Sequence, residues 1–166
     1  VDMNNEIFRE YDIRGSVEPD LTDDVVLSIG RAFGSYMARL GKKKAALCRD
    51  CRLSSEHYRD LLAEAMVESG LDVVDVGLAP TPLFYYSLFT LGVEGGIMVT
   101  GSHNPPSMNG FKVAVDRATL HGDQIQDIRR IIESGEYAAG RGSYREYKDI
   151  VRDYHEYLRA NIKLSK

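Results

Sequence analysis

The stretch GGIMVTGSHNPPSMNGFKVAV, residues 95–115, carries the most informative pattern of the chain. Residues 95–100 predict a buried strand, and residues 111–115 predict a second one. The connection between them is too short for a crossover helix, which favours antiparallel pairing. Ser102 lies on this connection, after a glycine that permits a sharp turn and before two prolines that stiffen the exit. A hydroxyl held in this way can carry a covalent group, although a plain turn of Ser, Asn, Gly and Pro stays open as the alternative.

The rest of the chain alternates between helical and strand-like patterns. Apolar residues recur at helical spacing in four segments, which predicts helices over 22–40, 54–69, 81–91 and 122–134. Short apolar runs predict further strands over 45–48 and 71–76. This alternation predicts an α/β fold, a three-layer α/β/α domain with a mixed, mostly parallel sheet. In such sheets ligands bind beyond the carboxyl ends of the strands, where Ser102 is expected to lie.

A different pattern begins after residue 134. The glycine-rich segment 135–142 is typical of a linker. Beyond it, six apolar residues form one stripe at helical spacing, namely Tyr147, Ile150, Val151, Tyr154, Leu158 and Ile162. This stripe either packs on the core of the same domain or faces a neighbouring domain.

Composition limits the classes of partner. The chain has 166 residues, of which 43% are apolar and 28% charged, a size and balance typical of one globular domain with, as an alternative, the edge of a second. Its net charge of −4 and pI of about 5.6 provide no overall basic surface, so we expect neither nucleic-acid nor anionic-membrane binding. No apolar run would span a bilayer and no signal-peptide pattern is present, so a cytoplasmic location is expected, with Met3 a candidate natural start.

The two cysteines lie three residues apart, at Cys48 and Cys51. This spacing occurs in redox pairs and in halves of zinc sites, and both interpretations stay open. Neither is favoured, because zinc needs two further ligands and the four histidines show no paired spacing. Asp50 and Arg52 are expected to brace a loop here.

Three polar stretches could meet at one edge of the sheet: residues 8–15, residues 49–54 and the loop around Ser102. Arginine and lysine in these stretches suit a phosphate, which arginine binds with a fixed fork of donors and lysine with a point charge. Acyl chemistry would need a Ser–His–acid triad and a Gly-x-Ser-x-Gly elbow, and the sequence has no such elbow. Phosphate chemistry is therefore the favoured interpretation.

Four motifs give the chain a family resemblance. Thr-Gly-Ser-His-Asn-Pro-Pro (100–106), Asn-Gly-Phe-Lys (109–112), Tyr-Asp-Ile-Arg-Gly (11–15) and Arg-Asp-x-Arg-x-Ser (49–54) resemble those of the α-D-phosphohexomutases, especially the bacterial phosphomannomutase/phosphoglucomutase type. The resemblance implies an intramolecular phosphotransferase that interconverts hexose 1-phosphate and 6-phosphate. A phosphoserine gives its phosphoryl group to the substrate, and a hexose 1,6-bisphosphate intermediate returns the other one.

The same resemblance implies roles for particular residues. Ser102 would be the phosphoryl carrier, and its phosphate would supply one ligand to Mg²⁺. Arg14 would contact the phosphoserine, while Lys112 and His103 would lie beside the reacting oxygens as charge stabilisers or proton-transfer groups. The implied substrate-binding set is Tyr11, Arg14, Asn104, Asn109 and Lys112, in which the two asparagines also shape the loop.

One departure from the family is large, because its Asp-Gly-Asp-Gly-Asp-Arg metal loop and its sugar-recognition loop are absent from this sequence. We therefore expect a phosphoserine domain over residues 1–143 and a linker helix over 144–166 that leads into a missing second domain. The expected partners are a phosphosugar and the remaining domains of the same enzyme, without which the chain would be inactive. A non-catalytic phosphosugar-binding module and a serine phosphatase or hydrolase are the alternatives.

Overall fold

Helices and strands alternate along the chain in the computed structural model, which describes residues 1–163. Residues 164–166, the end of the predicted linker helix, lie outside the described range. After a 3₁₀ turn at Asn5–Ile7 the elements are β1 (Ile13–Ser16), α1 (Asp23–Arg39), β2 (Lys44–Arg49), α2 (Ser55–Glu68), β3 (Asp72–Leu78), α3 (Thr81–Thr90), β4 (Gly95–Val99), β5 (Met108–Val115), β6 (Ala118–Thr119), α4 (Asp123–Ser134), β7 (Tyr144–Glu146) and α5 (Ile150–Asn161). Within this range, no helix combines the length and the apolar character that a membrane crossing requires.

The seven strands form one mixed sheet in the order β1-β5-β4-β2-β3-β7, with β6 paired to β5. Strands β4, β2, β3 and β7 are parallel to one another. Strand β5 is antiparallel to β1, β4 and β6. Six of the seven strands therefore point the same way and β5 alone is reversed, which confirms the mostly parallel sheet and the antiparallel pair on either side of Ser102.

Helices cover both faces of the sheet. Side chains of α1, α2 and α4 pack with Leu47, Ile97 and Phe111 in one core, which we call the upper core. Side chains of α3 and α5 pack with Cys48 and Met98 in a second core, the lower core. Because neighbouring residues of a strand face opposite sides, the central strands β2, β3, β4 and β5 contribute to both cores. The predicted three-layer α/β/α arrangement is confirmed.

Residues 136–143, the C-terminal strap, connect α4 to β7 and lie against the end of α2. The amides of Gly140 and Gly142 donate to the carbonyls of Glu68 and Val67, each at 2.9 Å. A Cβ on Gly142 would lie 1.9 Å from the carbonyl oxygen of Leu71, so only glycine fits this approach. Strand β7 then pairs with β3. The division of the chain at residue 143 stays a prediction.

The stripe on α5 is divided between the core and the surface. Ile150 is buried in the lower core, and the ring of Tyr154 lies 5.3 Å from that of Tyr86 on α3. Val151 and Ile162 are exposed. The first part of the helix thus packs on this domain, as one of the two alternatives for the stripe requires.

Candidate active site

Ser102 lies just beyond the carboxyl end of β4, on the loop that connects β4 to β5 (residues 100–107). Its φ angle of 53° is unusual for a residue other than glycine, and its side chain is exposed. Its amide donates to the hydroxyl of Thr100 at 2.9 Å, and the amide of Asn104 donates to the carbonyl of Gly101 at 2.9 Å. The Asn104 side chain donates to the same carbonyl at 2.8 Å. The loop therefore presents the Ser102 hydroxyl to solvent from an ordered backbone.

Arg52, the second arginine of the 49–54 stretch, binds the backbone of this loop. The two terminal nitrogens of Arg52 donate to the carbonyls of Ser102, Asn104, Pro105 and Met108 at 2.6–3.1 Å. Arg52 recognises the backbone of the loop, which agrees with the bracing role expected from the sequence.

Asp50 completes this support. Its carboxylate lies 3.3 Å from the Nε atom of Arg52 and accepts hydrogen bonds from the Ser55 hydroxyl and from the amides of Arg52 and Gly101. Burial acts to raise the pKa of Asp50, but these hydrogen bonds, the one from Ser55 first, outweigh it and hold the pKa below its ordinary value. Asp50 is thus an ionised partner for Arg52 at neutral pH.

His103 lies within reach of the serine hydroxyl. Its Nδ1 atom is 3.3 Å from the Oγ atom of Ser102, and both side chains are exposed. Neighbouring residues in a chain usually direct their side chains apart, but the turn at Ser102 brings these two together. His103 can therefore exchange a proton with the Ser102 hydroxyl.

Arg14 and Lys112 lie on adjacent strands and share one face of the sheet. Arg14 pairs with Gly110 across β1 and β5, and Lys112 pairs with Met98 across β5 and β4. Because the residues next to them, Ile13 and Phe111, are in the upper core, alternation directs both cations to the opposite face. The two predicted cations are brought close to each other.

A carboxylate that the sequence analysis gave no role lies between these cations. Asp12 Oδ1 is 3.5 Å from Arg14 Nε, and Asp12 Oδ2 is 3.8 Å from Lys112 Nζ. The register explains this, because Ile13 pairs with Phe111 and one further step places Asp12 opposite Lys112. The sequence shows only that Asp12 and Arg14, two residues apart in an extended segment, point to the same side. It does not show that this segment pairs with the strand that carries Lys112.

The two remaining predicted site residues differ in exposure. Tyr11 is 66% exposed beside Asp12, free to meet a ligand. Asn109 is completely buried, and its side-chain amide donates to the hydroxyls of Ser54 and Ser55 at 2.8 and 2.9 Å. These contacts join β5 to the start of α2 and support the loop-shaping role of Asn109, whereas its contact with substrate stays a prediction.

A cleft of about 670 Å³ opens beside the serine, and its lining includes Asp50, Cys51, Thr81, Met98, Ser102 and His103. Thr81 begins α3, and the amino end of a helix carries a partial positive charge; Pro82 has no N–H, and Leu83 donates its own to the carbonyl of Pro80 at 2.9 Å. The cleft therefore offers an anion a favourable position next to the Ser102 hydroxyl.

The two cysteines have different surroundings. Cys48 is buried in the lower core and donates to the carbonyl of Ala79, and burial raises its pKa to about 12. Cys51 is exposed at the cleft. Both are free thiols in this structure. The Cys-x-x-Cys spacing thus joins a core residue to a surface residue.

A magnesium ion would find only part of a site among the described residues. Residues 1–163 contain no group of three or more His, Cys, Asp and Glu side chains close enough to hold a metal ion. The exposed Ser102 oxygen, when phosphorylated, would offer one phosphate oxygen of the kind that Mg²⁺ prefers. The other ligands would have to come from water, substrate or residues outside this range.

The fold and the loop together define a three-layer α/β/α domain that presents an exposed serine hydroxyl beside His103, on a loop that Arg52 holds through its carbonyl groups. Comparison with known proteins identifies the family of this domain. The profile described as phosphoglucomutase/phosphomannomutase, alpha/beta/alpha domain I, matches residues 5–139. The chain belongs to this family, which confirms the resemblance found in its motifs.

Relatives and a solved structure agree with this assignment. The chain is 44% identical over 160 residues to a phosphomannomutase/phosphoglucomutase of Pseudomonas aeruginosa, covering 96% of the chain and 34% of the relative. It is 39% identical over 166 residues to a phosphoglucomutase of Neisseria gonorrhoeae, covering 99% of the chain and 36% of that protein. A crystal structure of a phosphoglucomutase/phosphomannomutase family protein from Burkholderia thailandensis superposes with a TM-score of 0.94 at 40% identity, over 99% of the chain and 38% of that structure. The chain thus spans about a third of the length of these relatives.

Proposed function

We propose that this chain is the part of a phosphohexomutase that carries the transferred phosphoryl group, on Ser102. The observation that carries the proposal is the exposed hydroxyl of Ser102 on a loop held by Arg52, with His103 at 3.3 Å from its oxygen. A phosphoserine bears a charge of about −1.5 to −2 and needs cationic neighbours. Arg14 and Lys112 on the adjacent strands fit this need.

The proposed step moves one phosphoryl group between two oxygens. A hydroxyl oxygen of a hexose monophosphate bonds to the phosphorus on Ser102, the bond from phosphorus to Oγ breaks, and the hydroxyl proton is transferred to Oγ. His103 is placed to hold or deliver that proton. Transfer of the other phosphoryl group of the resulting bisphosphate back to Ser102 regenerates the phosphoserine and leaves the isomeric monophosphate.

The cationic side chains and Mg²⁺ would act by neutralising the negative charge of the phosphoryl group. Lys112 and Arg14 would stabilise the negative charge on the moving phosphoryl group, which is most of what such catalysis requires. When bound, Mg²⁺ would add neutralising charge to the phosphoserine oxygens. The relatives are named for mannose and glucose phosphates, so a hexose phosphate is the proposed substrate class and hexose 1,6-bisphosphate the proposed intermediate and activator.

The 166-residue chain alone is proposed to lack mutase turnover. It spans about a third of its curated relatives, and a full set of metal ligands is missing from residues 1–163. The remaining domains of the same enzyme are therefore the proposed partners. Mutase activity of the purified chain, lost on Ser102→Ala, would contradict this part of the proposal.

The test of function uses the intact polypeptide that carries this sequence, isolated from its native source and incubated with hexose 1,6-bisphosphate. Intact mass and fragmentation should locate one phosphoryl group on Ser102, and mutase activity should depend on it. Ser102→Ala should lose both, whereas Ser107→Ala, an exposed serine of the same loop, should keep both. Undiminished phosphosugar binding with no phosphoryl uptake would instead favour a non-catalytic binding module.

A further inference from the structure

Arg52 donates four hydrogen bonds to backbone carbonyls in and next to the loop that bears Ser102, which we call the Ser102 loop. Its Nη1 atom donates to the carbonyls of Pro105 at 2.7 Å and Met108 at 2.9 Å. Its Nη2 atom donates to the carbonyls of Ser102 at 3.1 Å and Asn104 at 2.6 Å. One guanidinium thus connects both ends and the middle of the loop, which only a planar fork of several donors can do.

The sequence of the loop explains why it needs an external donor. The nitrogens that follow the carbonyls of Asn104 and Pro105 belong to prolines, which have no N–H to offer. Ser102 adopts a φ of 53°, a conformation that a side chain disfavours unless its surroundings impose it. Arg52 supplies the contacts that impose it.

The positive charge of Arg52 is already paired with the carboxylate of Asp50. Its Nε atom lies 3.3 Å from Oδ2 of Asp50, and its side chain is only 15% exposed. A guanidinium that is covered, paired with a carboxylate and bonded to four carbonyls has little capacity left for a phosphate. Arg14 and Lys112 are more exposed, at 32% and 25% of their side chains, and within residues 1–163 neither is bonded to the Ser102 loop.

We propose that Arg52 is a positioning residue, which fixes the conformation of the Ser102 loop through backbone carbonyl groups and not through its charge on the phosphoryl group. The role in catalysis rests on the proposed function of Ser102. The loop then has the same conformation with and without the phosphoryl group, because its hydrogen bonds with Arg52 do not include the phosphate.

The test compares Arg52→Lys with wild type in the intact polypeptide. Lysine keeps the charge but cannot reach four carbonyls, so amide hydrogen exchange in residues 101–108 should become about tenfold faster, while exchange in β5 residues 111–115 stays unchanged. Phosphoryl transfer from hexose 1,6-bisphosphate to Ser102 should slow by about tenfold at saturating donor, with half-saturation within about threefold of wild type. Arg31→Lys, an exposed arginine paired with Glu68 on α1 and α2, is the control and should change neither quantity.

A second variant, Gly101→Ala, disturbs the contact between Arg52 and the loop without changing Arg52 itself. A Cβ on Gly101 would lie 2.5 Å from the guanidinium carbon of Arg52, so Gly101→Ala should displace the guanidinium and reproduce the faster loop exchange. The proposal is overturned if both variants keep wild-type loop exchange, or if Arg52→Lys raises only the half-saturation concentration. Absence of phosphoryl uptake by the wild type would refute the proposed function instead, and the exchange measurement would still decide the role of Arg52 in the loop.

Discussion

The ammonium group of Lys112 lies 3.8 Å from the carboxylate of Asp12. The same carboxylate lies 3.5 Å from Arg14, so one acid is shared by two cations on adjacent strands. Asp12 lowers the net charge of this group from two to one and restricts where both cationic groups can lie. All three side chains are partly exposed, so solvent weakens each pair and the arrangement is expected to affect the position of charge more than stability.

Asp12→Asn should strengthen the binding of a phosphosugar and slow its turnover. Loss of the carboxylate raises the positive potential of the site, so a phosphosugar should half-saturate the intact polypeptide at a concentration up to about threefold lower. Without a shared partner the two cations lose their fixed positions, and the turnover rate should fall by about tenfold. Steady-state kinetics measures both, with Asp24→Asn on the exposed side of α1 as the control. Weaker binding with unchanged turnover would argue against a positioning role for Asp12.

Gly142→Ala should destabilise the fold strongly. The added methyl group would lie 1.9 Å from the carbonyl oxygen of Leu71, and the strap cannot move away without breaking the Gly142–Val67 hydrogen bond. We expect a loss of about 2 kcal/mol or more in the free energy of unfolding, measured by urea denaturation. Arg141→Ala removes an exposed side chain from the same strap and should change stability by less than about 0.5 kcal/mol. Equal effects of the two variants would show that the strap does not pack as described.

Alkaline pH should reveal the burial of Tyr58. Its hydroxyl donates to the carbonyls of Leu21 at 2.9 Å and Val17 at 3.2 Å, and burial, followed by the charge of Asp23, raises its pKa to about 12. An unfolded tyrosine titrates near pH 10, so the folded state holds this proton more tightly. The stability due to this group is complete below about pH 10 and is lost as the pH rises through about 12, by roughly 2–3 kcal/mol.

Tyr58→Phe isolates this contribution. At neutral pH the variant should lose about 1 kcal/mol because its two carbonyl partners lose their donor. Between pH 10 and 12 the wild type should lose roughly 2–3 kcal/mol while phenylalanine has no proton to release, so the difference in stability should shrink to zero and then reverse in favour of the variant. Urea denaturation across this pH range measures the difference, with Tyr11→Phe, an exposed position, as the control. A difference that is constant with pH would mean that Tyr58 titrates normally.

The two cysteines should react at very different rates with iodoacetamide. The pKa of the Cys48 thiol is about 12 because of burial, so roughly one part in ten thousand is thiolate at pH 8, and that part is covered by the lower core. Cys51 is exposed at the cleft and should be alkylated first. Peptide mass analysis over time measures the order, and a phosphosugar bound in the cleft should slow the reaction of Cys51. Comparable rates at both cysteines would contradict the buried position of Cys48.

The helices and central strands could be predicted because their signals are local. Apolar periodicity located α1 to α4 within a few residues, and apolar runs located β2, β3 and β4. Strands β1, β6 and β7 were missed, since β1 and β6 have only four and two residues and every residue of β7 is exposed. Such short segments become strands through hydrogen bonds to distant partners, which no local pattern records.

In the candidate site, too, the features with a local sequence signal could be predicted and the long-range contacts could not. The Ser102 loop was evident, because glycine, serine, asparagine and proline limit the backbone within a few residues. The contact from Arg52 to the carbonyl of Ser102 joins residues 50 positions apart, and the one from Asp12 to Lys112 depends on strand register. Long-range geometry of this kind is fixed by packing, so the sequence could suggest that Arg52 braces a loop but could not identify the four carbonyl partners.

The reversed direction of β5 has a consequence for movement at the site. Because β4 and β5 are neighbours, the chain that bears Ser102 leaves the sheet at Val99 and re-enters it at Met108, and the amide of Thr100 is still bonded to the carbonyl of Gly110. A short segment anchored at both ends in this way cannot swing as a hinged flap does. Under the proposed function both ends of one sugar react with the same oxygen, so the sugar and not the serine would have to change its orientation between the two transfers.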